Sequence, residues 1–236
     1  MQNKSCQDPP PDYNAITATA PPVTYPISSY TPESALVKGV PSELQSLLQM
    51  NQISMQEKFT VSQGWGRSFD VLDQMGQRMY QATQTVEFCG PLYDLKVRDN
   101  AGQDVMAVLE TLACRCSRLM EVTIPSCGVV GSVMWNWRSF ITHFSIMNPS
   151  KEVVLLILGP NFHNSIFGNI TLEVKSPDEQ HVVGMITSEG SQYTVTFPMD
   201  LEVTMKAMIL ALLLLLPGLH DSEQTETSGN PSKQRL

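Results

Sequence analysis

Residues 207–219 read A-M-I-L-A-L-L-L-L-L-P-G-L, thirteen positions without a charged or polar side chain. Burying a large apolar side chain contributes about 1.5–3 kcal/mol, so a helix that is apolar on every face must be shielded from water. Such a helix is enclosed by protein, inserted in a lipid bilayer, or exchanged between the two. The run extends about 20 Å, against roughly 30 Å for the hydrocarbon core of a bilayer. Its length therefore favours enclosure within a protein core.

The predicted helix covers residues 206–217, because Pro217-Gly218 is expected to end it. If the helix inserted in a membrane, Lys206 on its N-terminal side would favour a cytoplasmic N-terminus. The residues expected to form its membrane-inserted or core-filling surface are Ala207, Met208, Ile209, Leu210, Leu212, Leu213, Leu214, Leu215 and Leu216.

The composition of the 236-residue chain narrows the classes of partner. A net charge of −8 argues against nucleic acid as a partner and opposes adsorption to an anionic membrane leaflet. Membrane contact would then depend on apolar or lipid-modified segments. The polar N-terminus lacks the apolar region of a secretory signal, and five cysteines without a scaffold spacing suggest a reducing, cytosol-facing location.

The chain begins with a proline-rich segment, residues 1–38, which holds seven of the sixteen prolines and is predicted to be disordered or polyproline-like. Within it, Pro10, Pro11 and Tyr13 fit the PPxY form of a WW-domain ligand, in which the prolines preset the extended helix and the tyrosine anchors it. The alternative is a proline-rich tail that contains a tyrosine by chance.

A short helical pattern is followed by a long region of alternating apolar and polar residues. Residues 41–58 are predicted to be helical, with Ser42 as a possible cap and Leu44, Leu47, Leu48 and Met55 on one packing face. From about residue 59 the period becomes two, which is typical of strands. Four segments then read strand, polar turn, strand, with their turns at 73–77, 99–103, 148–150 and 176–179.

The last strand pattern is the longest, with apolar residues at alternate positions from Tyr193 to Met205, and it leads directly into the apolar helix. At least eight antiparallel strands and one wholly apolar helix suggest a closed barrel whose lumen the helix fills, since closure removes exposed sheet edges. An open sheet packed against the helix is the alternative. The fold class is thus mostly β.

Several blocks resemble the phospholipid scramblase family in order and spacing, over about residues 40–212. They are 76–80 (G-Q-R-M-Y), 99–105 (D-N-A-G-Q-D-V), 144–148 (F-S-I-M-N), Gly159-Pro160, 173–184 (E-V-K-S-P-D-E-Q-H-V-V-G) and 197–207 (F-P-M-D-L-E-V-T-M-K-A). The resemblance implies a tubby-like, closed antiparallel barrel of about twelve strands around one C-terminal helix. It also implies a protein at the plasma membrane that moves phospholipids between leaflets, without ATP and when calcium rises.

The resemblance assigns calcium to a twelve-residue segment that ends at Asp200, with Glu189, Ser191 and Tyr193 at its first, third and fifth positions. A calcium loop of the EF-hand kind needs early oxygen ligands, a glycine at position six and an acid at position twelve. Here Thr194 occupies the glycine position, and only Glu189 and Asp200 carry charge. The alternative for this segment is a plain last strand.

The family's cysteine cluster, a site for palmitoylation, corresponds here to Cys114 and Cys116. Two acyl chains would suffice for stable anchoring, whereas the alternative is a pair of free thiols. Trp135 and Trp137 share a strand face and are expected at the barrel core or rim, or else as interfacial anchors. We find no nucleotide-binding motif, no histidine pair and no nucleophile–base set, so catalysis of bond formation or cleavage is not expected.

The predicted organisation is a disordered tail (1–38), a barrel domain (39–219) and a disordered polar tail (220–236). The leading functional hypothesis is a membrane-associated, scramblase-like protein with a cytoplasmic N-terminus, whose partners are membrane phospholipids. The rival is an adaptor that recruits WW-domain proteins through the PPxY tail and moves no lipid. A third hypothesis, a phosphoinositide-binding domain, is disfavoured by the acidic charge.

Overall fold

The computed structural model describes residues 39–58, 66–85, 94–111, 118–136, 141–160 and 170–227. A 3-10 segment, Ser42–Leu47, precedes twelve strands and one helix, α1, Val203–Thr227. The strands are β1 Gln52–Lys58, β2 Ser68–Leu72, β3 Arg78–Thr85, β4 Asp94–Asp99, β5 Asp104–Thr111, β6 Arg118–Ile124, β7 Gly128–Asn136, β8 Ile141–Met147, β9 Val153–Pro160, β10 Ile170–Lys175, β11 Val182–Glu189 and β12 Gln192–Thr196.

The strands form one closed barrel in which each strand pairs antiparallel with the next. β12 closes the barrel on β1, with Ile53 opposite Val195 and Met55 opposite Tyr193. Side chains alternate across the wall: in β4, Leu95 and Val97 are fully buried whereas Lys96 is exposed. The predicted mostly-β class, with a closed barrel of about twelve strands around a helix, is confirmed, and the open-sheet alternative is wrong.

The four predicted hairpin turns are confirmed, and two of them repeat the same structure. In turns 73–77 and 99–103 the first Asp accepts two backbone N–H groups through Oδ1, at 2.8–2.9 Å. Gly76 and Gly102 take φ values of +75° and +80°, which a residue with a Cβ rarely adopts. The repeated D-x-x-G-Q sequence therefore specifies the turn geometry, and the turn fixes the register of each hairpin.

The prediction of a helix over residues 41–58 is wrong beyond Leu47, where the six-residue 3-10 segment ends. Leu44 and Leu47 are fully buried on one side of the 3-10 segment, but Ile53 and Met55 point into the barrel from strand β1. β1 pairs on both sides, with β12 and β2, so its backbone hydrogen bonds are satisfied in the sheet. This pairing outweighs the helical pattern of the sequence, and Ile53 and Met55 share the inner face because they are two residues apart in a strand.

The long last strand is also shorter than predicted. β12 ends at Thr196, and Pro198, which has no N–H to donate to a ladder, follows two residues later. A turn closed by the N–H of Leu201 and the carbonyl of Pro198 (3.2 Å) then leads into α1. Met199 is 57% exposed, so the inward–outward alternation stops at Phe197.

The prediction that α1 ends at Pro217 is wrong, because the helix starts at Val203 and continues to Thr227. Proline in a helix interior costs about 3 kcal/mol, but Pro217 is buried and follows ten buried residues whose packing holds the helix axis. Residues 220–227, predicted as the start of a disordered tail, are helical. No helix within the described ranges combines the length and apolarity that crossing a membrane requires.

Because successive connections alternate between the two ends of the barrel, each end has its own set of elements. One end, which we call the 3-10 end, carries the 3-10 segment, the turns after β2, β4, β6, β8 and β10, and the start of α1. The opposite end carries the hairpin turn between β11 and β12 and the strand ends Thr111 and Arg118. Helix α1 therefore enters the lumen from the 3-10 end.

Candidate functional site

Helix α1 fills the lumen of the barrel. All ten residues from Ala207 to Leu216 are 0–2% exposed, and they belong to the same core cluster as the inward-facing residues of the strands. The residues predicted to form the membrane-inserted or core-filling surface are thus core residues in this structure. A helix without a polar face is stable here because barrel wall surrounds it on every side.

Helix α1 lies close to the wall at Gly131 in β7. A Cβ added there would lie 2.1 Å from the Met208 sulfur and 2.5 Å from the backbone oxygen of Met147. Such distances do not occur between real atoms, so this position has no room for a side chain. Gly131 therefore sets the depth at which Met208, and with it α1, packs against β7.

Lys206 is the one charged side chain among the fully buried residues that the structure describes, at 0% exposed. Its Nζ donates to the backbone carbonyl oxygens of Leu47, Leu48, Met50 and Met199, at 3.1, 3.0, 2.8 and 2.7 Å. An ammonium has three protons, so four acceptors within this range mean that at least one N–H is shared. The cage joins α1 to the chain around the 3-10 segment and to the turn before the helix.

Burial lowers the pKa of Lys206 below its ordinary value, and the nearby charge of Asp200 partly offsets this. The ammonium also lies 5.4 Å from the centre of the Phe197 ring, within the range of a cation–π contact. The carbonyl cage, the aromatic face and the carboxylate together compensate for the loss of water around the charge. From the sequence, Lys206 was interpreted only as a charge before an apolar run. The sequence did not predict that Lys206 is buried and holds α1 to the 3-10 segment.

The 3-10 segment is held to the barrel by two further contacts. The carboxylate of Glu43 accepts the N–H of Ser126 at 3.0 Å and its hydroxyl at 2.9 Å, in the turn after β6. Burial raises the pKa of Glu43, but hydrogen bonds from its own backbone and from Ser126 and Ser42 outweigh this, and the pKa is lowered overall. The hydroxyl of Ser46 hydrogen-bonds with that of the buried Tyr80.

An open cleft of about 620 Å³ lies beside the 3-10 segment, between the repeated turns 73–77 and 99–103. Three aspartates and Arg78 line it, but Asp73 and Asp99 each hold two backbone N–H groups of their own turns. Across the described ranges, no three His, Cys, Asp or Glu side chains converge to form a metal site. The two turns thus form the sides of the cleft, and their first aspartates serve the turn geometry.

The four residues that the resemblance assigned to calcium do not form one loop. Glu189 and Ser191 lie at the β11–β12 hairpin, at the end opposite the 3-10 end, and Tyr193 is 7% exposed within the core. Asp200 follows β12 at the 3-10 end. The five residues of β12 separate the two groups by roughly 17 Å at about 3.3 Å per residue. The structure thus brings neither Glu189 nor Ser191 to Asp200.

The remaining predicted site residues lie partly outside the described ranges. Cys114 and Cys116 fall there, between β5 and β6, and so do Pro10, Pro11 and Tyr13 of the WW-ligand motif and Trp137. Trp135 is 4% exposed and stacks on Phe144 with ring centroids 6.2 Å apart. Its prediction as a core or rim residue is confirmed.

The fold defines a class of protein: a closed twelve-stranded antiparallel barrel whose lumen is filled by the chain's own C-terminal helix. The family model described as Scramblase matches residues 31–218, and the chain belongs to the scramblase family.

Relatives in this family are 24–30% identical to the chain over the aligned residues. Human phospholipid scramblase 1 is 30% identical over 199 residues, covering 74% of this chain and 62% of the relative. Human phospholipid scramblase 2 is 29% identical over 172 residues, covering 63% and 58%. The chain thus spans about three fifths of the length of these relatives. A protein of Arabidopsis thaliana solved by X-ray crystallography matches with a TM-score of 0.46 at 13% identity, covering 71% of this chain and 91% of its own.

The first prediction concerns the hydrogen bonds that the Lys206 ammonium donates. Lys206→Met keeps most of the side-chain volume but leaves the carbonyls of Leu47, Leu48, Met50 and Met199 without their donor. Since an unsatisfied buried polar group costs about 1–3 kcal/mol and the variant also removes a buried charge, we expect a net loss of about 2–4 kcal/mol in the free energy of unfolding. Urea denaturation measures this loss.

The matched control is Lys96→Met, which makes the same change at an exposed position of β4 and should change stability by less than about 0.5 kcal/mol. Amide hydrogen exchange adds a local readout, since Lys206→Met should raise exchange in residues 207–216 more than in β4. Equal stability and equal exchange in the two variants would show that the buried ammonium does not hold the helix.

Proposed function

We propose that this protein moves phospholipids between the leaflets of the plasma membrane, without ATP and in response to calcium, from a position on the cytoplasmic side. The observation that supports it is the Scramblase family match over residues 31–218, together with relatives named as phospholipid scramblases. In this proposal no covalent bond is made or broken. The protein lowers the free-energy barrier for a lipid headgroup to cross the apolar core of the bilayer.

The filled lumen limits how α1 could take part in lipid movement. Release of α1 would expose ten buried residues and break the cage around Lys206. Exposing that surface to water would cost on the order of 10–30 kcal/mol, an upper bound from side-chain transfer energies. In our proposal α1 therefore leaves the lumen only where lipid tails replace the barrel wall, and the described structure is the resting state.

The calcium part of the proposal rests on the family resemblance, and Asp200 is the residue through which a cation would act. Its charge supports the charged form of Lys206, at the turn that leads into α1. A divalent cation bound to Asp200 would cancel that support and weaken the hold of the cage on the helix. Glu189, at the other end of β12, has no part in this scheme.

Attachment to the membrane is proposed to come from acylation of Cys114 and Cys116. The strand ends that flank them, Thr111 and Arg118, lie at the end of the barrel opposite the 3-10 end. Two acyl chains would hold a protein of net charge −8 against a leaflet that its own charge does not favour.

The second candidate function is an adaptor that uses the PPxY tail to recruit WW-domain proteins and moves no lipid. The observation in its favour is that every residue from Ala207 to Leu216 is buried, so the described state presents none of them to a bilayer. In this case α1 stays in the core permanently, and the barrel is the folded domain to which the tail is attached.

The prediction for lipid movement uses purified full-length protein in vesicles that carry a fluorescent phosphatidylcholine. Dithionite should quench fluorescence beyond the outer-leaflet fraction when calcium is present, because inner-leaflet lipid becomes accessible. Asp200→Asn should abolish the calcium response, whereas Asp104→Asn, the same change at a carboxylate that is 61% exposed elsewhere at the 3-10 end, should retain it. Quenching that stops at the outer-leaflet fraction, with folded protein present in the vesicles, would refute the proposal.

The prediction for anchoring compares cysteines within one chain. In cells, Cys114→Ser with Cys116→Ser should move the protein from the membrane fraction to the supernatant and remove its acyl label. The control is Cys127→Ser, which changes an exposed free thiol in the turn after β6. If the double variant still sediments with membranes and still carries acyl label, the anchor lies elsewhere.

The prediction for the adaptor function compares tyrosines within the same tail. Peptides covering residues 1–38 should bind an isolated WW domain with micromolar affinity, since short polyproline ligands are preordered but small. Tyr13→Ala should weaken binding at least about tenfold, while Tyr25→Ala should leave it unchanged, as Tyr25 does not follow a PPx sequence. Equal effects of the two changes would exclude a PPxY interaction.

A further inference from the structure

A shallow groove of about 410 Å³, lined by both apolar and polar residues, lies on the outer surface of the barrel at its 3-10 end. Its apolar side chains come from the start of β11 and from the chain after β12, and its polar ones from the start of β1 and the end of β12. They are Val182, Val183, Met185, Phe197 and Pro198, and Asn51, Gln52 and Thr196. Among the described residues seven large apolar side chains are exposed, and three of them lie in or beside this groove: Val182 at 56%, Met185 at 39% and Met199 at 57%. An exposed apolar cluster of this kind is characteristic of a binding surface.

The groove is preformed by the backbone. At Gly184 an added Cβ would lie 2.4 Å from the carbonyl oxygen of Thr196 and 3.5 Å from the Cβ of Phe197, so this position of the floor cannot carry a side chain. The pairing of β10 with β11 also shifts register between Val174 and Lys175, opposite Gly184 and Val182. Such an irregularity bends a strand and re-aims its side chains, here leaving Val182 outside the core.

Acidic residues lie in the two turns that adjoin the groove along the chain. Asp178 and Glu179 lie in the turn that precedes Val182, and Asp200 and Glu202 follow Pro198 and Met199. All four are exposed. The nearest lysine in the β10 wall, Lys175, is paired with Glu173 at 3.0 Å and adds no net charge. The groove therefore adjoins two turns that carry four carboxylates. His181 in the first turn and the buried Lys206, whose ammonium interacts with Asp200, are basic side chains near them.

We propose that this groove docks a basic amphipathic segment of a partner protein. Apolar side chains of the segment occupy the groove, where Met185 and Met199 adapt to their shape, and its Lys or Arg side chains face the two acidic turns. The charge selects this occupant, since an anionic leaflet and a second acidic copy of the chain would both be repelled. The segment lies on the outer wall, so α1 stays in the lumen while it is bound.

The test measures binding to the full-length protein by fluorescence anisotropy. The probe is an 18-residue amphipathic peptide of Lys and Leu, and the comparison peptide replaces every Lys with Glu. We expect a micromolar Kd for the Lys peptide, a Kd at least about tenfold higher for the Glu peptide, and weaker binding of the Lys peptide as salt rises.

Two pairs of substitutions separate the apolar and the charged contributions. Val182→Ser with Met199→Ser should raise the Kd at least about tenfold, and Glu179→Gln with Glu202→Gln should flatten the salt dependence. The control is Met75→Ser, which removes an apolar side chain that is 76% exposed in the turn after β2, at the same end of the barrel. This control should bind the Lys peptide as the wild type does.

Several results would overturn the proposal. They are no binding of the Lys peptide, equal binding of the two peptides, or equal effects of the Val182/Met199 pair and the Met75 control. Dimerisation in analytical ultracentrifugation that the Val182/Met199 pair abolishes would assign the groove to a second copy instead. Flotation with phosphatidylcholine vesicles that the same pair abolishes would assign it to lipid.

Discussion

The structure depends on mutual enclosure between the barrel wall and helix α1. Eight strands close around a lumen that side chains alone can fill, so twelve strands leave space that needs an additional element. Helix α1 supplies it with ten consecutive residues that are 0–2% exposed. The helix in turn has no polar face that could be exposed to water, so it requires a closed wall. Each element is unstable without the other, and both must therefore form in one cooperative core.

An all-apolar cylinder in an all-apolar lumen has little to fix its depth or rotation, and polar contacts supply that specificity. The ammonium of Lys206 can be satisfied only where four carbonyl oxygens meet, which defines the axial position of the helix at the 3-10 end. Gly131 defines its approach to β7, because only a position without a side chain admits Met208. One buried charge and one missing Cβ thus determine the placement of a helix whose apolar contacts are largely interchangeable.

The sequence predicted the parts of the structure that local chemistry controls. The hairpins follow from turns such as D-x-x-G-Q, in which the Asp side chain and the left-handed Gly fix the geometry within five residues. It failed where distant pairing or packing decides: residues 52–58 form a strand because β12 and β2 flank them, and α1 passes Pro217 within a barrel that holds it. The helix residues of the candidate site were predictable from apolarity alone. The role of Lys206 was not, since its four acceptors come from positions up to 159 residues away.

The position of the buried charge also bears on how a helix so firmly enclosed could respond to its surroundings. Met199 contributes a carbonyl oxygen to the Lys206 cage, while its side chain is 57% exposed beside the acidic turn at Asp200. Phe197, whose ring faces the ammonium, forms part of the wall of the outer groove. Between the buried ammonium and the solvent there is thus a layer only one residue thick. A change in charge or packing at this turn reaches the start of α1 through Lys206, without passing through the barrel wall. An ion or a partner that binds this turn would therefore act on the helix at its N-terminal end.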